Sequence, residues 1–180
     1  MDEYIDILNE VGEISGKTCL KSEAHQKGLF HASVHIWIFD NHKNILIQKR
    51  ALNKDTFPGL WDISVAGHIS AGELPIDSAI REVSEEVGIS IQQKQLHYIG
   101  TSTKKVTHKI DLIDNELHHI YICSINFNIE TLKIQQEEVA EVKLIPLNEL
   151  ILATNLNNTS FVPHGKSYYE FVLNAIKNTK

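Results

Sequence analysis

Apolar residues recur at helical spacing between positions 75 and 87, at Ile76, Ala79, Ile80, Val83 and Val87. That period predicts an amphipathic helix with one face in a core. Pro75 suits a first-turn position that needs no N–H, and Gly88 suits a left-handed residue just past the end. The helix is therefore expected from Pro75 to Val87. A period of two runs from Ala32 to Phe39, where Val34, Ile36 and Ile38 alternate with Ser33, His35 and Trp37. That is a strand pattern. Tyr4 to Leu8, Asn44 to Arg50, Trp61 to His68, Leu96 to Val106, Glu116 to Phe127 and Glu138 to Ile145 read as further strands, the two long ones joined by a polar loop. Gly12 and Gly16 mark a turn-rich connection, and Asp40-Asn41 a hairpin turn. Lys21 to Gly28 reads as a helical turn and Ala51 to Leu60 as a loop. Helices are expected from Pro146-Leu147 to about Ala153 and from Ser167 to Ile176. No repeat or internal linker interrupts this order. Strands and helices mixed in this way fit one layered α+β or α/β domain over residues 1–180.

Composition narrows the function classes. Hydrophobic residues make up 42% and charged residues 22% of the chain, which are globular values. A net charge of −6 with no basic block argues against nucleic acid as a partner. The two cysteines, Cys19 and Cys123, form neither a metal motif nor a disulfide framework, so a reducing, cytoplasmic compartment is expected. The acidic start Met1-Asp2-Glu3-Tyr4 lacks a signal-peptide pattern, and no apolar run nears the roughly 18 residues of a membrane span.

The polar side of the 75–87 helix carries Glu82, Glu85 and Glu86, at spacings that put them on one side. Like charges there are unfavourable unless a cation sits among them. Carboxylate oxygens are hard ligands, which favours Mg²⁺ or Mn²⁺, and Mg²⁺ leaves positions to water and substrate phosphate. A solvated acidic face is the plainer alternative. The longer stretch G-H-I-S-A-G-E-L-P-I-D-S-A-I-R-E-V-S-E-E-V-G-I decides between them. Gly67, Glu73, Arg81, Glu82, Val83, Glu85, Glu86, Gly88 and Ile89 are nine fixed positions within 23 residues. Together they resemble the signature of the Nudix hydrolase superfamily. The resemblance implies an α/β/α sandwich with a mixed central sheet that cleaves small-molecule diphosphates. It further implies that Glu82, Glu85 and Glu86 hold metal with the Ala66 carbonyl, that Arg81 and Glu73 orient the cluster, and that Gly67 permits a tight loop.

A second resemblance covers about two-thirds of the chain, from roughly Glu23 to Glu138. The run Q-K-R-A-L-N-K-D-T-F-P-G-L-W-D-I-S-V-A-G-H is similar to the isopentenyl-diphosphate isomerase branch of the superfamily. That branch holds a divalent metal with three histidines and two acids. His68 matches its Gly-His histidine, His25 and His31 fall near the first two, and Asp114 and Glu116 fall where the acids stand. Such a set suits Mn²⁺ or Zn²⁺ better than Mg²⁺. The isomerases carry a catalytic cysteine immediately before the Gly-His pair, where this chain has Ala66. They also tend to lose signature glutamates, all of which are kept here. Both departures point to hydrolysis, with isomerase as the alternative.

Within the hydrolase reading, Glu82, Glu116 and Glu138 are candidate bases, with Glu138 preferred. Gln48, Arg50 and Lys54 are candidate substrate contacts. His35, His42, His97, His108 and His164 have no ligand-spaced partner and read as surface or core residues. His118 and His119 are adjacent on a strand and face opposite ways. Dimers are common among such relatives, which makes a homodimer a candidate assembly that the sequence itself does not fix.

Overall fold

The computed structural model describes residues 2–155 and 159–179. Its elements, in order, are β1 (Tyr4–Leu8), β2 (Ile14–Leu20), α1 (Lys21–Lys27), β3 (His31–Phe39), β4 (Asn44–Arg50), β5 (Trp61–Asp62), β6 (Val65–His68), α2 (Pro75–Val87), β7 (Leu96–Lys109), β8 (Leu112–Ser124), β9 (Val139–Pro146), α3 (Leu147–Asn155) and α4 (Lys166–Asn178). β3 is the axis of a mixed sheet. It pairs antiparallel with β1, β4 and β6 and parallel with β8. β2 continues the sheet from β1, β7 from β8, and β5 and β9 from β4.

The alternation in β3 sends its residues to two cores. Val34, Ile36 and Ile38 pack with Ala79, Val83 and Val87 of α2. Trp37 and Phe39 pack with Leu150 of α3 and with Val172, Leu173 and Ile176 of α4. Helices thus cover both faces, giving the expected α/β/α sandwich with a mixed sheet. Along the α4-facing side, β3 reads His31, Ser33, His35, Trp37, Phe39. The parallel register sets Glu116, His118, Ile120 and Ile122 of β8 beside the first four of these. The polar half of this face is where a cavity opens. The apolar half is core.

Helix α2 has the expected limits. Pro75 opens it, and Gly88 closes it at φ 69°, its N–H on the Ser84 carbonyl and the following Ile89 N–H on the Val83 carbonyl. Three other expectations are corrected. The Gly12–Gly16 segment is not all connection, because β2 forms a hairpin with β1. β2 is mostly exposed, so no hydrophobic alternation marks it, and its backbone ladder holds it. Trp61 to His68 is two strands, split where the Ser64 side chain accepts from the Ile38 N–H and donates to the Leu46 carbonyl. The polar loop expected between the long strands is mostly paired, up to Lys109 opposite Leu112, which puts Asp114 inside a strand. No described helix is long and apolar enough to cross a membrane.

Candidate active site

The α2 carboxylates do not share one solvated face. Glu86 and Glu82 are buried, while the Glu85 side chain is 51% exposed. Gly67, on the α2 side of β6, makes that burial fit. A Cβ built there would lie 2.0 Å from Glu82 Cδ. The Gly67 backbone is extended rather than left-handed, so close approach explains this glycine and a tight loop does not. Burial raises Glu82 above the ordinary carboxylate range. Burial, followed by the neighbouring Glu82 charge, raises Glu86 well above it.

Arg81 is the cation among these acids. Its Nε and Nη2 donate to both oxygens of Glu73 at 3.1 and 3.0 Å, and its Nη1 donates to Glu82 at 2.6 Å and to Glu85 at 3.1 Å. Nη2 also reaches the His68 carbonyl at 3.1 Å, tying α2 to the end of β6. Glu73 in turn accepts from the Ser78 hydroxyl at 2.6 Å. Glu86 accepts from Gln48 Nε2 at 3.0 Å. Each signature glutamate is therefore held by a neighbour, and the three do not form a group with oxygens within 4.8 Å of one another. Two buried acids beside a bidentate Arg–Glu pair fit a hard divalent cation such as Mg²⁺ or Mn²⁺.

On the other face, α1, β3, β6 and β8 bring four of five expected residues together. Ligand atoms of His25, His31, His68 and Glu116 all lie within 4.8 Å of one another. His25 Nε2 faces His68 Nε2 at 3.1 Å, and Glu116 Oε1 lies 3.8 Å from His68 and 3.9 Å from His31. The His31 Nδ1–H donates to the Leu29 carbonyl at 2.8 Å, and its Nε2 is buried and without a hydrogen-bond partner among the described residues. Burial pushes His25 down and His68 well down, so both are neutral and offer lone pairs. Burial alone would raise Glu116, but its surroundings, the His118 hydrogen bond first, hold it well below the ordinary carboxylate range. Asp114 stands behind this group. It accepts from His108 Nε2 at 2.7 Å and lies 3.6 Å from the His25 Nδ1, the ring nitrogen turned away from His68. The donor set fits Mn²⁺ or Zn²⁺.

Glu82, Glu85 and Glu86 line one cavity of about 590 Å³ together with His25, His68 and Glu116. Ala66 lines it as well, on β6 opposite His35. Among the expected substrate contacts, Gln48 holds Glu86, and Lys54 is ion-paired to Glu138. Arg50 donates through Nε and Nη2 to Thr56 and through Nη1 to Asp62.

The same cavity is walled by His35 and His164, read from sequence as core or surface residues, and by His118, together with Asp62 and Lys104. His164 Nε2 lies 2.6 Å from Asp62, and His35 Nδ1 lies 2.7 Å from the Tyr168 hydroxyl. The available signal was the i, i+2 run His31, Ser33, His35 on one strand face. The residues opposite it come from far along the chain. His42 and His97 are exposed, as expected, but His108 has a partner in Asp114.

The NUDIX domain family matches residues 29–164. The chain is 36% identical over 167 residues to Nudix hydrolase 3 of Arabidopsis thaliana, a match covering 91% of this chain but only 22% of that longer protein. It is 35% identical over 203 aligned positions to an uncharacterized Nudix hydrolase of Clostridium acetobutylicum, covering 97% of each. It is 34% identical over 122 residues to the isopentenyl-diphosphate Delta-isomerase of Serratia proteamaculans, covering 68% of this chain and 66% of that one. Among solved structures, DR0079 from Deinococcus radiodurans superposes with a TM-score of 0.70 at 14% identity, covering 97% and 98% of the two chains, a likeness of fold alone.

Proposed function

Because the chain belongs to the Nudix family of pyrophosphohydrolases, we propose that it is a divalent-metal-dependent hydrolase of a small organic diphosphate, of the nucleoside-diphosphate or a related type. The observation that carries this reading is the burial of Glu82 against Gly67 and of Glu86 against Gln48, with Arg81 bridging Glu73, Glu82 and Glu85. Burying carboxylates is costly unless charge compensates them. Glu82, Glu85, Glu86 and the Ala66 carbonyl would hold Mg²⁺ or Mn²⁺. A cation so held neutralises phosphate charge and lowers the pKa of a bound water.

The chain's own groups do the rest. Arg81 and Glu73 fix the glutamates. Gln48 orients Glu86, and Arg50 holds the 51–60 loop through Thr56. Lys54 supplies positive charge to the diphosphate. Glu138 is the base that takes a proton from the attacking water as the P–O bond of the anhydride breaks, and the departing phosphate leaves as an anion. Lys54 and Glu138 form an ion pair on the cavity wall, which holds the acid beside the cationic group that meets the phosphate charge. His25, His31, His68 and Glu116 form a second metal-holding group of Mn²⁺ or Zn²⁺ type, with Asp114 orienting His25.

The likeness to isopentenyl-diphosphate isomerases and the four-residue histidine group favour a second reading, isomerisation of a prenyl diphosphate. Ala66 disfavours it, because a methyl group supplies no proton. The test is cleavage of nucleoside diphosphates, sugar nucleotides, dinucleotides, coenzyme A and prenyl diphosphates in Mg²⁺ and in Mn²⁺, followed by chromatography of the phosphate-bearing products, since an anhydride between two organic groups gives two phosphate esters and no free phosphate. Turnover of a member of this panel that falls by roughly 10³-fold or more in Glu86→Gln, with the fold intact, is expected. Undiminished turnover in that variant at saturating Mg²⁺ would overturn the reading.

A further inference from the structure

We propose that the cavity wall formed by His35, His118 and His164 receives the organic group of the diphosphate and selects a polar, hydrogen-bonding group over a hydrocarbon chain. The proposal rests on the hydrolase reading above and adds its substrate class.

The hydrogen-bond network assigns the protons on this wall. Ser33 and His118 are register partners on β3 and β8. The Ser33 hydroxyl donates to Glu116 Oε2 at 2.8 Å. Its single proton is then spent, so it accepts from His118 Nδ1–H at 2.8 Å. His118 Nε2 is left as an acceptor, buried and without a hydrogen-bond partner among the described residues. Beside it the pattern is reversed. Trp37 Nε1–H donates to the Tyr168 oxygen at 3.1 Å, and the Tyr168 proton passes to His35 Nδ1 at 2.7 Å. His35 therefore carries its own proton on Nε2. Burial holds this ring neutral, which keeps that tautomer. The two imidazoles stack at 4.0 Å, so a fixed donor and a fixed acceptor stand side by side.

A third ring extends the wall. Asp62 is buried and accepts from Arg50 and from the Ile63 N–H. His164 donates to it through Nε2 at 2.6 Å, leaving Nδ1 as a second acceptor. His164 lies 5.3 Å from His35, ring to ring. A hydrocarbon chain set against this wall would leave these buried donors and acceptors unpaired. Sites built to hydrogen-bond a substrate reject analogues that lack the matching groups far more strongly than apolar pockets reject misfits.

A cation is the competing occupant, since His35, Glu116 and His118 also present ligand atoms within 4.8 Å of one another. To ligate through Nε2, His35 would have to move its ring proton to Nδ1 and turn round its hydrogen bond with Tyr168. The wall therefore suits a ligand with its own donors and acceptors.

The test compares kcat and KM for ADP-ribose and UDP-glucose with those for dimethylallyl and geranyl diphosphates in Mg²⁺. Wild type, His118→Phe, His164→Phe and His118→Gln are used, with thermal unfolding as the fold check. Wild type should favour the better polar substrate by ~10²-fold or more in kcat/KM. His118→Phe should cut that ratio at least ~10-fold, mainly through KM, and His118→Gln, which restores a polar atom near the Nε2 position, should recover part of it. Equal use of alkyl and polar diphosphates by wild type, or an unchanged ratio in folded His118→Phe and His164→Phe, would overturn the proposal. So would loss of one bound Mn²⁺ equivalent in His118→Phe. If no diphosphate is hydrolysed, the hydrolase reading fails by itself. Calorimetric binding of ADP-ribose and dimethylallyl diphosphate then decides the wall: tighter ADP-ribose binding that weakens in His118→Phe supports it, and equal binding overturns it.

Discussion

Gly67 lacks a side chain because Glu82 fills the space one would need. A methyl at 67 would overlap Cγ, Cδ and Oε1 of Glu82, all of them atoms of a rotatable side chain. Gly67→Ala should therefore displace the carboxylate more than it strains the backbone. Stability should fall by about 1–3 kcal/mol, the usual range for overpacking. Diphosphate hydrolysis should fall much further, by more than ~10-fold, as for a misplaced catalytic group. Parallel melting curves and kinetics check this, and a larger loss of stability than of activity would contradict it. Glu86 gives a pH signature at the same scale. Its folded pKa is raised above the ordinary 4.5, so the native state keeps that proton to higher pH than the unfolded chain. Stability must then fall as pH rises from about 4.5 toward the folded value. In chelator, the melting temperature of Glu86→Gln minus that of wild type should grow with pH across this window. The lowered His35 and His68 act with the opposite sign below their ordinary 6.5, but both proteins contain them and they cancel in the difference. A flat difference curve would remove the buried charge from the account.

At the scale of elements, α2 was legible from end to end, because Pro75, Gly88 and a 3.6-residue apolar period are all local signals. The depth of its acids was not. Periodicity puts Glu82 and Glu86 beside the apolar stripe, and the missing Cβ of Gly67 on another element lets them sink. β2 left no pattern because an exposed edge strand needs no apolar alternation. The histidine wall was invisible for a different reason. His35 and His118 meet through a parallel pairing of strands more than 80 positions apart, and His164 reaches them from beyond α3. Single-residue spacing cannot report such meetings, whereas the His25, His31, His68 and Glu116 group was reached through family resemblance. The loop-to-helix pair Glu73–Arg81 carries the prediction here. Glu73→Ala frees Arg81 from its bidentate partner, so Arg81 should settle on Glu82 and Glu85 and compete for the oxygens proposed to hold metal. Apparent Mg²⁺ affinity, read from activity against metal concentration, should drop ~10–100-fold, as when outer partners of metal ligands are removed. An unchanged metal dependence would show that Glu73 only packs.

Across the whole molecule, one short strand divides the chemistry. Gly67 of β6 faces α2 and its acids, while Ala66 and His68 flank it toward the histidine side. Both sides open to one cavity, so a single diphosphate could meet the hard carboxylates and the imidazole group together. The side chain at 66 bears on which reaction that cavity could support. Ala66 stands opposite His35 on the face where an isomerase would need a proton donor, and its methyl has none. The free cysteines do not replace it, since Cys123 is buried in the α2-side core and Cys19 lies on β2, and neither lines the cavity. Purified protein incubated with isopentenyl diphosphate and Mg²⁺ or Mn²⁺ should therefore form no dimethylallyl diphosphate. Conversion at an ordinary enzymatic rate, on the order of 1 s⁻¹ or more, would sink this expectation and the argument from Ala66. Ala66→Cys sharpens the test. If the missing thiol were the whole difference, this one substitution would create isomerase activity. The hydrogen-bonding wall of His35, His118 and His164 sits beside position 66 and disfavours an alkyl chain, so Ala66→Cys alone should stay below about 1% of such a rate. Adding His118→Phe to Ala66→Cys should raise isomerisation above that of either single variant, because the thiol supplies the proton and the phenyl ring accepts the chain. A double variant no better than Ala66→Cys would mean that the wall does not govern which substrate reaches the sheet.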